Sequence, residues 1–195
     1  MRSLVRRAAV LSVAAAGVLA VCAATAGVAN AQTIAGGTGS LTASASYLGK
    51  LAKSLIIVEP TGAQSYTYTP GTNSLTVTYT VTGGDANLNN FAGAVQYSGG
   101  LTFLNLANGK QITLSALQFD LFNDQIDGTP AGGVQTDVLE TIGNDTVSID
   151  GTTQSLADTD LAISADGAAT LNSALGTTVF KADDQVGSFA TTYHS

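Results

Sequence analysis

From residue 74 the chain reads SLTVTYTV, with Leu75, Val77, Tyr79 and Val81 at every second position and threonines between them. A period of two places the first set on one face of a strand and Thr76, Thr78 and Thr80 on the other, so one face is expected buried and the other wet. Apolar alternation also runs through 101–107 and 110–116, on either side of Asn108-Gly109. That dipeptide suits the positive φ angles of a tight turn, which predicts an antiparallel hairpin. Asp150-Gly151 repeats the signal. Within 111–122 the phase Ile112, Leu114, Ala116 slips by one residue to Leu117, Phe119, Leu121, as a β-bulge would produce. Further strands are expected at 134–142, 146–149, 160–164 and 187–193.

Two segments carry a different period. In ASASYLGKLAKSLII (43–57), Leu48, Leu51, Ala52 and Leu55 fall at i, i+3, i+4 and i+7, the stripe of a short amphipathic helix. It should stop near Ser54, because a β-favouring run follows at 55–58 and Pro60 prevents continuation. In DGAATLNSALG (166–176), Asp166 is placed to cap the N terminus, Ala168, Leu171 and Leu175 form one face, and Gly176 suits the left-handed end. Helices are therefore expected near 44–54 and 167–175. The Gly-Thr-Gly before the first helix reads as a flexible start. Gly-Gly pairs at 83–84, 99–100 and 132–133 mark turns or bulges with no fixed period, which excludes a solenoid or propeller. The fold class that results is all-β, an antiparallel sandwich or barrel with two short helices.

The first 31 residues stand apart. Arg2, Arg6 and Arg7 precede an apolar run that closes on Ala29-Asn30-Ala31, the composition of a cleaved secretory signal peptide. The run from 8 to 21 is shorter than the ~20 apolar residues that span a bilayer. Arg6-Arg7 also raises a twin-arginine route, and Leu19-Ala20-Val21-Cys22 a lipoprotein box, although Val21 is bulky for the latter and no Ser or Thr stands directly before the arginines. Plain export, with release or loose association with the envelope, is expected. Residues 32–195 then form one domain. They hold four lysines (50, 53, 110 and 181) against 14 acidic residues, 4 − 14 = −10, and no cysteine. So acidic a surface disfavours nucleic acid and anionic lipid, and a chain without thiols has neither disulfides nor a thiolate metal site. No membrane span is expected.

Few residues have the means for catalysis. The one histidine, His194, lies next to the C terminus, where fraying is expected, and no Gly-x-Ser-x-Gly elbow occurs. Ser98 sits in a Tyr-Ser-Gly-Gly turn without an activating base. Asp120, Asp124 and Asp127 cluster in sequence, yet the chain has no tryptophan platform for a sugar. FNDQIDG (122–128), DTDLAISADG (158–167) and KADDQVG (181–187) all miss the spacing of a calcium loop and read as solvated acidic turns. Asn144-Asp145-Thr146 is formally a glycosylation sequon. No catalytic residue, metal ligand or cofactor is assigned on these grounds, and the chain is expected not to be an enzyme.

The order of several short motifs resembles a known family. They are Ser46-Tyr47 in a helix, a strand ending Glu59-Pro60, the Gly93-x-Val95-x-Tyr97-x-Gly99 strand, a hairpin of Leu-x-Leu phase, and Gly167-Ala168-Ala169 opening a late helix. Together they resemble the HtaA haem-binding domains of Gram-positive surface proteins. Thr82-Gly83-Gly84, Ser98-Gly99-Gly100-Leu101 and the run Leu171-Asn-Ser-Ala-Leu-Gly-Thr177 are similar to uncharacterised secreted actinobacterial relatives of that family. The resemblance implies a β-rich fold with two helices and a haem iron held by a helix tyrosine, supported by a histidine from the later strand. Tyr47 is the one cofactor ligand carried over. The histidine's place falls at Gly100, so the tyrosine would lack the partner that orients it. The primary expectation is thus a non-enzymatic exported module that binds an envelope component or assembles with itself, and the alternative is a haem-binding protein using Tyr47.

Overall fold

The computed structural model describes residues 31–143 and 145–195. Of the expected leader, residues 1–30 lie outside this range, as does Asn144 of the sequon. The described chain forms thirteen strands and two helices. In order these are β1 (Gln32–Thr33), β2 (Gly36–Ala43), α1 (Ala45–Lys53), β3 (Ile56–Thr61), β4 (Ser65–Thr69), β5 (Ser74–Asn87), β6 (Ala92–Tyr97) and β7 (Gly100–Asn105). There follow β8 (Gln111–Asp120), β9 (Gln125–Pro130), β10 (Thr136–Thr141), β11 (Thr146–Asp150), β12 (Thr153–Ile163), α2 (Ala165–Leu175) and β13 (Gln185–His194).

Every pairing is antiparallel, and the path β5-β2-β13-β12-β10-β9-β8 returns to β5 through β6, which pairs with both β8 and β5. An eight-stranded barrel is thereby closed, which decides between sandwich and barrel. β7 and β3 continue outward from β8 as a two-stranded flap, while β1 and β4 flank β5 and β11 flanks β12. Closure needs a strand that the sequence reading treated as a flexible start: β2, GGTGSLTA, pairs along its whole length with β13 and with β5. Its glycines reflect crowding inside the ring. A Cβ on Gly39 would stand 2.4 Å from the Tyr97 ring, so only glycine lets that tyrosine lie across the barrel.

The interior is filled. Val95, Leu114, Phe119, Leu161, Ile163 and Tyr193 are fully buried, and Phe189 packs tilted on Phe119 at 4.9 Å and edge-on to Tyr97 at 6.4 Å. A void beside Gly39 and Tyr97 measures about 10 Å³, too small for a ligand. Buried tyrosines satisfy their hydroxyls across strands: Tyr97 donates to Thr191 at 3.0 Å, Tyr79 to the Gly100 carbonyl at 2.9 Å, and Tyr193 to Gln154 at 3.1 Å.

The remaining expectations meet the structure unevenly. The bulge in β8 is present, with a register shift between Ser115 and Gln118 and Ala116 at φ 50°. The Asn108-Gly109 hairpin pairs antiparallel as expected, although its strands stop at Asn105 and resume at Gln111, so the turn is longer than two residues. β12 is far longer than the 160–164 expected, and β10 shorter than 134–142. The second helix begins earlier than expected, and its cap is Ser164, which accepts from Gly167 N at 2.8 Å; Asp166 lies in the first turn instead. His194 does not fray. It ends β13 opposite Gly36 and Thr153, with its Nδ1 3.0 Å from the Thr153 hydroxyl.

Candidate functional site

α1 is only nine residues long and would be marginal alone. Ser44 caps it, accepting from Tyr47 N at 3.3 Å, and Tyr47 and Leu51 anchor its inner face against the strands below. Near its end Lys50 pairs with Asp184, which itself accepts from Lys181 N at 2.7 Å. The helix does not sit flush. Between α1, the β3–β7 flap and the barrel strands β2 and β5 lies a cavity of about 460 Å³.

Its walls are hydrocarbon almost throughout. Leu48, Leu51, Ala52 and Leu55 come from the helix side, Ile56, Val58 and Pro60 from β3, Leu101 and Phe103 from β7, and Leu41, Leu75 and Val77 from β2 and β5. Tyr47 is the one lining side chain with a polar atom among the described residues. The apolar stripe of this amphipathic helix therefore forms the roof of a cavity, and the size of the void was not legible in it. The rim is apolar too, since Leu55, Ile57 and Leu106 are each more than a third exposed. Leu106 leaves β7 to reach this rim, donating from its N to the Leu55 carbonyl at 2.9 Å. Leu55 itself holds φ 57°, a left-handed conformation that costs an L-residue roughly 1–2 kcal/mol.

Tyr47 thus stands in the wall of a ligand-sized space. Burial raises its phenol well above the ordinary tyrosine value, and the negative charge of Asp184 raises it further. Both effects hold the hydroxyl protonated. The position that the resemblance gives to a histidine offers no help. Gly100 lies in β7 with the Leu114 carbonyl 2.0 Å from where its Cβ would be, so any side chain there meets backbone, and its own carbonyl is occupied by Tyr79. His194 lies at the far end of β13 from Val186, a residue of the cavity wall.

The acidic candidates separate in space. Asp120 accepts from Phe122 N and Asn123 within the β8–β9 turn. Asp127 accepts from Gln118 and Gln135 on its face of β9. Asp124 instead lies near Asp145 and Asp158, and the two neighbours help raise Asp145 to about 7, burial being the main cause. Asp158 departs from the solvated turn expected for it. It is 2% exposed within β12, its Oδ1 accepting from Asp160 N at the bulge. Among the described residues no group of three or more His, Cys, Asp or Glu is arranged to hold a metal ion. Ser98 is a turn residue as expected, bonded to Thr80 N and the Gly62 carbonyl. No helix of the described residues is long and apolar enough to cross a membrane.

No protein-family model and no curated protein matches the sequence. Among solved structures, the C-terminal domain of HtaA from Corynebacterium glutamicum superposes with a TM-score of 0.56, covering 83% of this chain and 98% of that one at 10% identity. At so low an identity the likeness is one of architecture, and it establishes that this chain has an HtaA-like fold.

Proposed function

We propose that the protein is a non-enzymatic module of the cell exterior that carries an apolar ligand in the cavity between α1 and the barrel. The cavity is the observation that supports this reading. A space of about 460 Å³ falls in the size range of small-molecule sites. Nothing in its wall is equipped to take or give a proton near neutral pH, which favours binding over catalysis. Titration with a neutral solvatochromic naphthalene dye tests the reading. Saturable one-to-one binding is expected, and Ala52→Trp, at an exposed position of the wall, should weaken it at least tenfold. Absence of saturable binding, or binding indifferent to Ala52→Trp, would refute it.

A second reading, haem held by Tyr47, is favoured by the place of Tyr47 in the cavity wall and by the HtaA-like fold. Against it stand a phenol held protonated and a position 100 that admits no imidazole. Haemin added to the wild type and to Tyr47→Phe should give equally weak binding without a tyrosinate band. A tight one-to-one complex lost in Tyr47→Phe would make haem the ligand.

Self-assembly, the other mode expected for such a module, has its natural place on β4 and β11. Both are edge strands with every residue exposed, each paired on one side only.

A further inference from the structure

We infer that the ligand of this cavity is an uncharged, largely aliphatic molecule with one oxygen acceptor, which takes a hydrogen bond from the Tyr47 hydroxyl. The inference rests on the cavity-binding reading and names the class of ligand. Four tyrosines are buried among the described residues, and the hydroxyls of Tyr79, Tyr97 and Tyr193 each reach a partner. Tyr47 differs. It is 6% exposed, and its hydroxyl makes no hydrogen bond among the described residues. A buried donor left unpaired is costly, so native proteins rarely keep one without a use. Here the unpaired group belongs to the one side chain of the wall that carries a polar atom, and Tyr47 shares its side of α1 with Leu51, one turn further on, which also lines the space. An acceptor brought in by a ligand would complete it.

Charge decides between a neutral acceptor and an anionic one. No lysine lines the cavity among the described residues, and Lys50, in the last turn of α1, is already paired with Asp184. The negative charge of Asp184 bears on the Tyr47 phenol, and on β3 Glu59 shares the strand face of the lip residue Ile57. A carboxylate or phosphate entering here would give up its water and meet no cation in the wall. A ketone, ester or alcohol gives up far less, and its oxygen can accept from a phenol that burial keeps protonated. The hydrocarbon wall sets the rest of the molecule. Its volume of about 460 Å³ is roughly fifteen times the ~30 Å³ that a water occupies in the liquid, and a methylene is of similar size, so a chain of about a dozen carbons fits.

The test sets dodecan-2-one against dodecanoate, each displacing the naphthalene dye from the purified protein below its aggregation threshold and at a pH where the acid is ionised. The ketone is expected to bind more tightly, by roughly tenfold or more. Tyr47→Phe should weaken ketone binding by about tenfold, the worth of one hydrogen bond, although it makes the wall more apolar. Isotope-edited infrared spectroscopy of the complex gives a reading that needs only the wild type: the carbonyl stretch of the bound ketone is expected below its position in hexane. A ketone that fails to displace the dye, dodecanoate that binds as tightly, ketone affinity unmoved by Tyr47→Phe, or a wild-type carbonyl band at its hexane position overturns the inference while leaving the cavity-binding function in place. Failure of both the dye and the ketone to bind overturns the two together.

Discussion

Two short helices lie on the same barrel, each capped by a serine and each presenting an apolar stripe, yet α1 roofs a cavity of about 460 Å³ while α2 buries its leucines completely. The residues at the contact account for the difference. α2 opens with Gly167-Ala168, and Gly167 comes so near β10 that a Cβ there would lie 2.2 Å from the Val138 carbonyl, which lets Leu171 and Leu175 sink to full burial. The turn between β7 and β8 then locks its end, since Asn105 and Asn108 both donate to the Leu175 carbonyl, at 3.0 and 2.9 Å. Counted from the capping serine, α1 has Tyr47 and Leu48 where α2 has Gly167 and Ala168, so its first turn cannot approach the strands as closely. Incomplete packing forgoes dispersion contacts at α1 and leaves room for a ligand.

The strongest way to break this contrast is to truncate one leucine under each helix. Leu171→Ala should cost about 3 kcal/mol in urea unfolding, within the usual range for a fully buried leucine. Leu48→Ala, half-buried against a space already empty, should cost less than ~1 kcal/mol. Equal losses would mean that α1 is as tightly packed as α2. Adding a methyl group gives opposite signs. Gly167→Ala should destabilise by ~2 kcal/mol through its clash with Val138. Gly49→Ala meets nothing within 4 Å and should stabilise by about 0.8 kcal/mol, simply because alanine is the better helix former.

Acidity sharpens the comparison further. Beside α2, burial raises Asp137 to about 7, with Glu140, Asp127 and Asp166 adding to the effect and the Ser164 hydroxyl opposing it. The folded state therefore holds a proton that the unfolded chain has released above its ordinary value of 3.8. Stability from this group is full below about pH 4 and is lost as pH rises toward 7. Because the carboxyl is partly solvated, the loss should amount to only ~1 kcal/mol. Denaturation midpoints measured across that interval should fall accordingly, and Asp137→Asn should flatten the slope; an unchanged slope would show that Asp137 titrates normally. Asp145, raised by its own burial and by Asp124 and Asp158, should add a smaller fall in the same direction.

The pattern of two along 74–81, the phase slip in β8 and the left-handed Gly176 were all legible because each is written in adjacent residues. β2 was not, since a strand of glycine, serine and threonine has no apolar alternation of its own, and its composition answers to Tyr97 and Tyr193, far along the chain. The candidate site divides likewise. Tyr47 could be named from its helix, but the void beside it depends on how several strands distant in sequence meet α1. Asp158 misled because an acidic run looks solvated in sequence, whereas its side chain is buried and one of its oxygens caps the backbone of a bulge.

The ring of strands has a kinetic corollary. β2, at residues 36–43, finds one of its two barrel neighbours in β13, at 185–194, and every pair in that seam joins parts of the chain more than 140 positions apart. The other strands can form hairpins and meanders locally as they emerge. The seam cannot, so the barrel stays an open sheet, with the edges of β2 and β12 bare, until its final strand arrives. Closure of the ring is gated by the ten residues of β13, and a chain that has not yet added them is held only as an open sheet.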